Sequence, residues 1–164
     1  MKPKENKTNV MRTLEQKKIP YTAYRYDHEE GVAVDGVTVA QSLGQDPARV
    51  FKTLVARGAS KGIYVFDIPV AENLDLKKAA KAVGEKSIEM IHVSEITALT
   101  GYVRGGCSPI GMKKQYPTVF HETALAFPTI IVSGGKIGSQ VELAPQALVE
   151  LIRASVADIV TSPT

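Results

Sequence analysis

Apolar positions in this chain fall into short runs, each closed by a turn signal. Val10, Met11 and Leu14 recur at helical spacing behind Thr8, a capping residue type, and Pro20 ends the run after Ile19. Tyr21 to Tyr26 carries aromatic residues at every second or third position and predicts a strand entering the acidic turn Asp27-His28-Glu29-Glu30. Thr38 is placed to cap a short helix through Leu43 with Gly44 as its stop, and Asp46-Pro47 reads as a cap followed by proline. Val50 to Ala56 and Ile63 to Phe66 are apolar runs separated by the turn Gly58 to Gly62, which predicts a hairpin. Asp75 caps a helix whose Leu76, Ala79, Ala80 and Val83 share one face, with Lys77, Lys78 and Lys81 outward and Gly84 closing it. Those lysines form either a solvated face or a contact with nucleic acid.

The second half continues in the same way. Ser87 to Val93 predicts a strand, Ser94 caps a short helix through Thr100, and Tyr116 to His121 predicts another strand. Thr129 to Val132 is wholly apolar and suits a central strand, Val141-Glu142-Leu143 alternates, and Pro145 starts a last helix with Leu148, Leu151 and Ile152 inward. Val156 to Val160 either returns to the sheet or ends as a tail. Interleaved strands and short helices indicate a mixed α/β or α+β domain. Residues 1–7, with three lysines and no apolar period, read as a loose tail, and residues 8–160 as a single domain.

Composition narrows the function classes. A charged fraction of 23% with a net charge of only +3 argues against a blanket of positive charge but permits a local basic face. A lone cysteine allows no intrachain disulfide, the Lys-rich start lacks the apolar core of a secretion signal, and no run reaches the roughly 20 apolar residues of a membrane span. These features predict a soluble cytoplasmic protein without membrane or DNA partners. His28, His92 and His121 are too far apart for short metal-site spacing, so neither a metal nor another cofactor is expected. Two glycine-rich stretches remain: Gly101 to Gly111, which also holds Cys107 and Pro109, and Ser133 to Gly138. Glycine lets backbone approach a ligand closely, so the pair reads either as ordinary turns or as the walls of one pocket. Neither is a phosphate-binding Walker sequence, and Cys107 lacks a protease signature and reads as a small pocket-lining residue. Lys52 lies inside an apolar run, where an unpaired ammonium is costly; it must either snorkel to a sheet edge or face a polar pocket.

Four segments occur together and in order: Val50-Phe51-Lys52-Thr53-Leu54, Pro69-Val70 with Leu74 to Lys78, Gly101 to Gly111, and Val132 to Gly138. This set resembles the YbaK/EbsC family over nearly the whole chain, from Thr8 to Ile159. The resemblance implies a curved, mostly antiparallel, partly barrel-like sheet surrounded by helices, related to the editing domain of bacterial prolyl-tRNA synthetases. It implies hydrolysis of Cys-tRNA(Pro), with an alanyl- or other aminoacyl-tRNA deacylase, or a non-catalytic binder of nucleotides or RNA ends, as the alternatives. The implied partners are the acceptor end of mischarged tRNA(Pro) and prolyl-tRNA synthetase in a ternary complex. Lys52 matches the family's central lysine, which favours the polar-pocket reading. Tyr26, Thr53, Gly105, Gly106, Ser108, Ser133, Gly134 and Gln140 form the expected substrate-binding set. Gln140 departs from the family, where several members carry an aspartate; a glutamine still forms hydrogen bonds but cannot act as a base.

Overall fold

The computed structural model describes residues 7–162, so most of the expected tail, residues 1–6, lies outside the described residues. Lys7, its last residue, bonds Glu15 at 2.6 Å. Among the described residues, eight strands form two sheets. The first is antiparallel, in the order β1 (Thr22–Arg25), β7 (Ser139–Leu143), β6 (Ile130–Ser133). The second runs β4 (Ile88–Met90), β2 (Phe51–Gly58), β3 (Ile63–Pro69), β5 (Thr118–His121), β8 (Ser155–Ala157). Its β2 pairs antiparallel with β3 and β4, while β3–β5 and β5–β8 are parallel. The prediction of a mixed, mostly antiparallel arrangement is borne out. Among the described residues the sheets do not close into a barrel, and an isolated parallel bridge, Val50 to Ile131, links them.

The helices are α1 (Asn9–Gln16), α2 (Gly36–Ser42), α3 (Leu76–Val83), α4 (Ile96–Thr100) and α5 (Pro145–Ile152). Thr8 caps α1 and Asp75 caps α3, where Gly84 takes the left-handed φ of 72° that ends the helix. Two expected caps differ. Asp35, not Thr38, caps α2: its carboxylate reaches the Thr38 amide at 3.2 Å, three residues on, as an N-cap must. Ahead of α4, Glu95 accepts from the His92 amide at 3.1 Å, so Ser94 sits inside the first turn and not at its cap. Leu76, expected on the apolar face of α3, is 41% exposed because it occupies the first turn, ahead of the packed Ala79 and Ala80.

One core lies between the three-stranded sheet and α1 and α5, uniting Val10, Leu14, Phe51, Phe120, Ile130, Val141, Leu143 and Leu148. A second lies between the five-stranded sheet and α3, with Phe66, Ile68, Ala79, Ile88, Val119 and Ile159. Strand β6, expected to be central, is the edge of its ladder. It is buried nevertheless, because Ile131 packs beside Val50, Val70 and Ala40. No helix among the described residues is long and apolar enough to cross a membrane.

Candidate functional site

The two sheets meet at the Val50–Ile131 bridge and then diverge. On the side of β2 away from β3, pairing with β4 resumes only at Ala56. Residues 51–55 therefore lack a ladder partner on that side, apart from the Ile91 amide donating to the Val55 carbonyl at 3.3 Å. This fork is the cleft. It has a volume of about 910 Å³ and is bordered by Val50 and residues 51–55 of β2, by Val132, Ser133, Ser139 and Gln140 of the β6–β7 hairpin, by Gly105 and Cys107, and by the 31–36 segment. That volume lies near the top of the roughly 300–1,000 Å³ usual for small-molecule sites. Strand alternation places Lys52 opposite Ile68 and Thr53 opposite Asp67, on opposite faces of the sheet. Both border the cleft because it runs along an open strand edge.

Lys52 is half-buried and has no ion-pair partner among the described residues. Burial pulls its ammonium below the usual lysine range, against the more distant carboxylates of Asp35 and Glu72. Glu72→Gln is accordingly expected to lower the lysine's pKa further. The alkaline limb of any Lys52-dependent activity should move to lower pH, and a superimposable pH profile would refute that coupling.

Tyr26, Gly105, Ser133 and Gln140 line the cleft with Lys52 and Thr53. The Tyr26 amide donates to the Gly138 carbonyl at 3.0 Å, which ties the end of β1 to the second glycine loop. The Ser133 hydroxyl accepts from the Gly135 amide at 3.2 Å and fixes the start of that loop. Gln140 is 5% exposed; its carboxamide oxygen accepts from Gln45 at 2.8 Å, and its NH2 group has no partner among the described residues. Gly105 holds φ 86°, and an added Cβ would stand 2.6 Å from Ala33 Cβ, so glycine permits the close approach of the 31–36 segment.

Gly106, Ser108 and Gly134 do not border the cleft. Ser108 is fully buried and accepts from the Ile110 amide at 3.2 Å. An added Cβ at Gly106 would lie 2.8–2.9 Å from Lys136 and Ile137 backbone atoms, which shows that the two glycine loops lie against each other. Gly106→Ala should force those backbones apart and destabilise the fold by roughly 1–3 kcal/mol. A denaturation midpoint equal to wild type would sink that expectation.

Three features of the site had not been singled out in the sequence. Residues Gly31 to Gly36 form a wall that only long-range packing brings to β2. Ser139, 3% exposed, has a buried hydroxyl oxygen without a partner among the described residues. Asp67 is fully buried in β3, and its Oδ1 accepts from the Thr53 hydroxyl at 2.5 Å while Oδ2 has no partner among the described residues. An acidic residue within the apolar run Ile63 to Val70 is the same kind of signal that marked Lys52. Burial pushes the Asp67 carboxyl up to about 8, against the lowering effect of the Thr53 bond. Cys107 borders the cleft as predicted; burial first, and then the Asp67 charge, push its thiol up to about 12. At neutral pH that thiol is protonated and unsuited to nucleophilic attack. No group of three or more metal-ligating side chains converges among the described residues.

Comparison with known proteins agrees with this geometry. The aminoacyl-tRNA editing domain matches residues 31–151. An Enterococcus faecalis protein, EbsC, named as a proposed Cys-tRNA(Pro)/Cys-tRNA(Cys) deacylase, is 49% identical over 160 residues, covering 98% of this chain and 97% of its own. The crystal structure of a proposed trans-editing enzyme for prolyl-tRNA synthetase superposes with a TM-score of 0.78 at 25% identity, covering 94% of each chain. The hypothetical protein APE2540 shares the fold, with a TM-score of 0.83 at 22% identity over 94% of this chain and all of the other. The matched editing domain includes both glycine loops and the whole of β2, and it bears out the YbaK/EbsC resemblance: this chain belongs to the aminoacyl-tRNA editing domain family.

Proposed function

We propose that this protein is an aminoacyl-tRNA deacylase that removes cysteine from mischarged Cys-tRNA(Pro) in trans, releasing free cysteine and tRNA(Pro). The observation that carries the reading is the half-buried, unpaired Lys52 ammonium on the open edge of β2, in a cleft bordered by residues of both glycine loops. A site built to receive an anionic, hydrogen-bonding ligand needs such a cation. The acceptor end of tRNA offers a phosphate next to the adenosine that carries the amino acid. Lys52 holds that end, and Thr53, Ser133 and Gln140 supply hydroxyl and amide contacts.

The reaction follows from positioning. The Cys107 thiol, which borders the cleft, is held protonated and is not an activated nucleophile. The substrate carries its own: the cysteine thiol attacks the ester carbonyl, a C–S bond forms, and the C–O ester bond breaks. The thiol proton passes to the departing ribose oxygen with help from the neighbouring ribose hydroxyl. Water then opens the cyclic thioester to cysteine. Groups held in attack geometry lower a barrier by roughly 7–11 kcal/mol. Backbone amides of the glycine loops are suited to stabilise the negative charge that develops on the carbonyl oxygen. The synthetase that makes the error is the fitting partner, delivering tRNA(Pro) within a cytoplasmic ternary complex.

Single-turnover deacylation of tRNA(Pro) charged separately with cysteine, alanine and proline tests the assignment. Loss of cysteine alone is expected. Loss of alanine alone would keep the reaction and change the substrate. Hydrolysis of none, with uncharged tRNA(Pro) bound as tightly as charged, would replace the enzyme by a binding module for RNA ends.

A further inference from the structure

Asp67 has the features of a group placed for function and not for stability. It sits in the interior of β3, fully buried, with one carboxyl oxygen on Thr53, the other on nothing, and no cation within ion-pair distance among the described residues. A buried polar atom left without a partner is destabilising, and an apolar residue of similar shape avoids that cost. Its single hydrogen-bond partner, Thr53, borders the cleft. The two residues face each other in the β2–β3 register, so the bond is built into the sheet and cannot be lost by a loop movement. Cys107, whose thiol an ionised Asp67 raises further, borders the same cleft.

We propose that Asp67 is a positioning residue of the editing site: by accepting the Thr53 hydroxyl hydrogen it turns the Thr53 oxygen into a pure acceptor that faces substrate donors. A free threonine hydroxyl both donates and accepts. Whether Asp67 is ionised or carries its proton on the unpartnered Oδ2, Oδ1 remains an acceptor; with its hydrogen committed there, Thr53 has only lone pairs to offer. The ligand group it recognises therefore carries an N–H, O–H or S–H: the α-ammonium of the aminoacyl ester, a ribose hydroxyl, or the cysteine thiol. A ligand presenting only acceptors at that point meets lone pair against lone pair. This assignment rests on the editing reading, which supplies the substrate, and it deepens that reading by naming what polarity the cleft selects.

The test combines kinetics with a direct view of Thr53. Asp67→Asn keeps an acceptor oxygen opposite Thr53, whereas Asp67→Val removes it and places a β-branched residue in a buried strand, where it folds well. Single-turnover deacylation of Cys- and Ala-tRNA(Pro) is measured for wild type, both variants, Thr53→Val and the Asp67→Val/Thr53→Val double variant. Three-bond couplings to the Thr53 methyl carbon report its side-chain rotamer in the same proteins that retain Thr53. We expect Asp67→Asn to stay within about threefold of wild type with one Thr53 rotamer, since a neutral acceptor is preserved. Asp67→Val should lose about 10-fold or more in rate and average its Thr53 rotamers, as loss of one oriented hydrogen bond predicts. In the Thr53→Val background Asp67→Val should then change the rate by less than about twofold, because residues acting through one contact are not additive. A larger effect on Cys- than on Ala-tRNA(Pro) would identify the thiol as the donor, and an equal effect the shared ammonium or hydroxyl; both support the proposal. An undiminished loss in the Thr53→Val background, or a single unchanged Thr53 rotamer in Asp67→Val, overturns it. If wild type deacylates none of the substrates, the editing reading fails, and the couplings alone decide whether Asp67 positions Thr53.

Discussion

Replacing Lys52 with alanine is expected to slow single-turnover deacylation of Cys-tRNA(Pro) by about 10²–10³-fold, the range seen when a preorganised electrostatic group is removed from a dry site. The protein should remain folded. Lys52 has no ion-pair or hydrogen-bond partner among the described residues, so its removal leaves no buried group stranded, and burial already disfavours its charge. A loss of activity without a loss of stability separates a site residue from a structural one. Lys52→Arg should recover only part of the rate: it restores the charge, but the planar guanidinium does not reproduce the compact ammonium point charge at the cleft edge. Deacylation within threefold of wild type in the alanine variant would remove Lys52 from the mechanism and return it to the snorkelling alternative.

The second large effect is on stability. Asp67 carries a folded-state pKa of about 8 against an ordinary value of 3.8. Well below pH 4 the carboxyl is protonated in both the folded and the unfolded chain, and its titration contributes nothing. Between about pH 4 and pH 8 the unfolded chain has released a proton that the folded chain still holds. Stability therefore falls as pH rises through this window, by roughly 1.4 kcal/mol per pH unit from this group. Above about pH 8 both states are ionised and the cost is constant. Asp67→Asn removes the titration and keeps the Thr53 bond. Its stability advantage over wild type, read from urea or thermal unfolding, should be small near pH 4, grow across the window and level off above pH 8. Other carboxylates, such as Glu95 held down by Arg57 and Glu142 held down by Thr129, Tyr24 and Arg49 although burial raises it, titrate alike in both proteins and cancel in the difference. Parallel curves for the two proteins would mean that Asp67 does not hold its proton in the folded state.

These two residues also show how far the chain alone reveals its site. Lys52 and Asp67 are each a charge inside an apolar run, an anomaly visible by reading along the sequence. The lysine stands out as a cation inside an apolar run and the family resemblance then gives it a role, whereas the aspartate sits where that resemblance names nothing. The glycine loops were legible as a pair because glycine clusters flank two buried segments. Their division of labour was not. Gly105 borders the cleft while Gly106, its neighbour, meets the Lys136–Ile137 backbone, and Ser108 turns inward to hold Ile110. One residue's difference in the direction of a Cα hydrogen decides that, and no local signal encodes it.

By itself the sequence determined the element order, the caps at Thr8 and Asp75, the β2–β3 hairpin, and the family, because each depends on neighbours within a few residues or on motifs in order along the chain. Only the tertiary structure decided that the apolar run at Ile130 to Ser133 is a ladder edge and not a central strand. It also decided that two sheets meet at one bridge and part to open the cleft, and that the 31–36 segment walls it. Strand order and the divergence of two sheets are set by contacts between residues some 80 positions apart, such as Val50 with Ile131. Periodicity reports which face of an element is buried, but not what buries it.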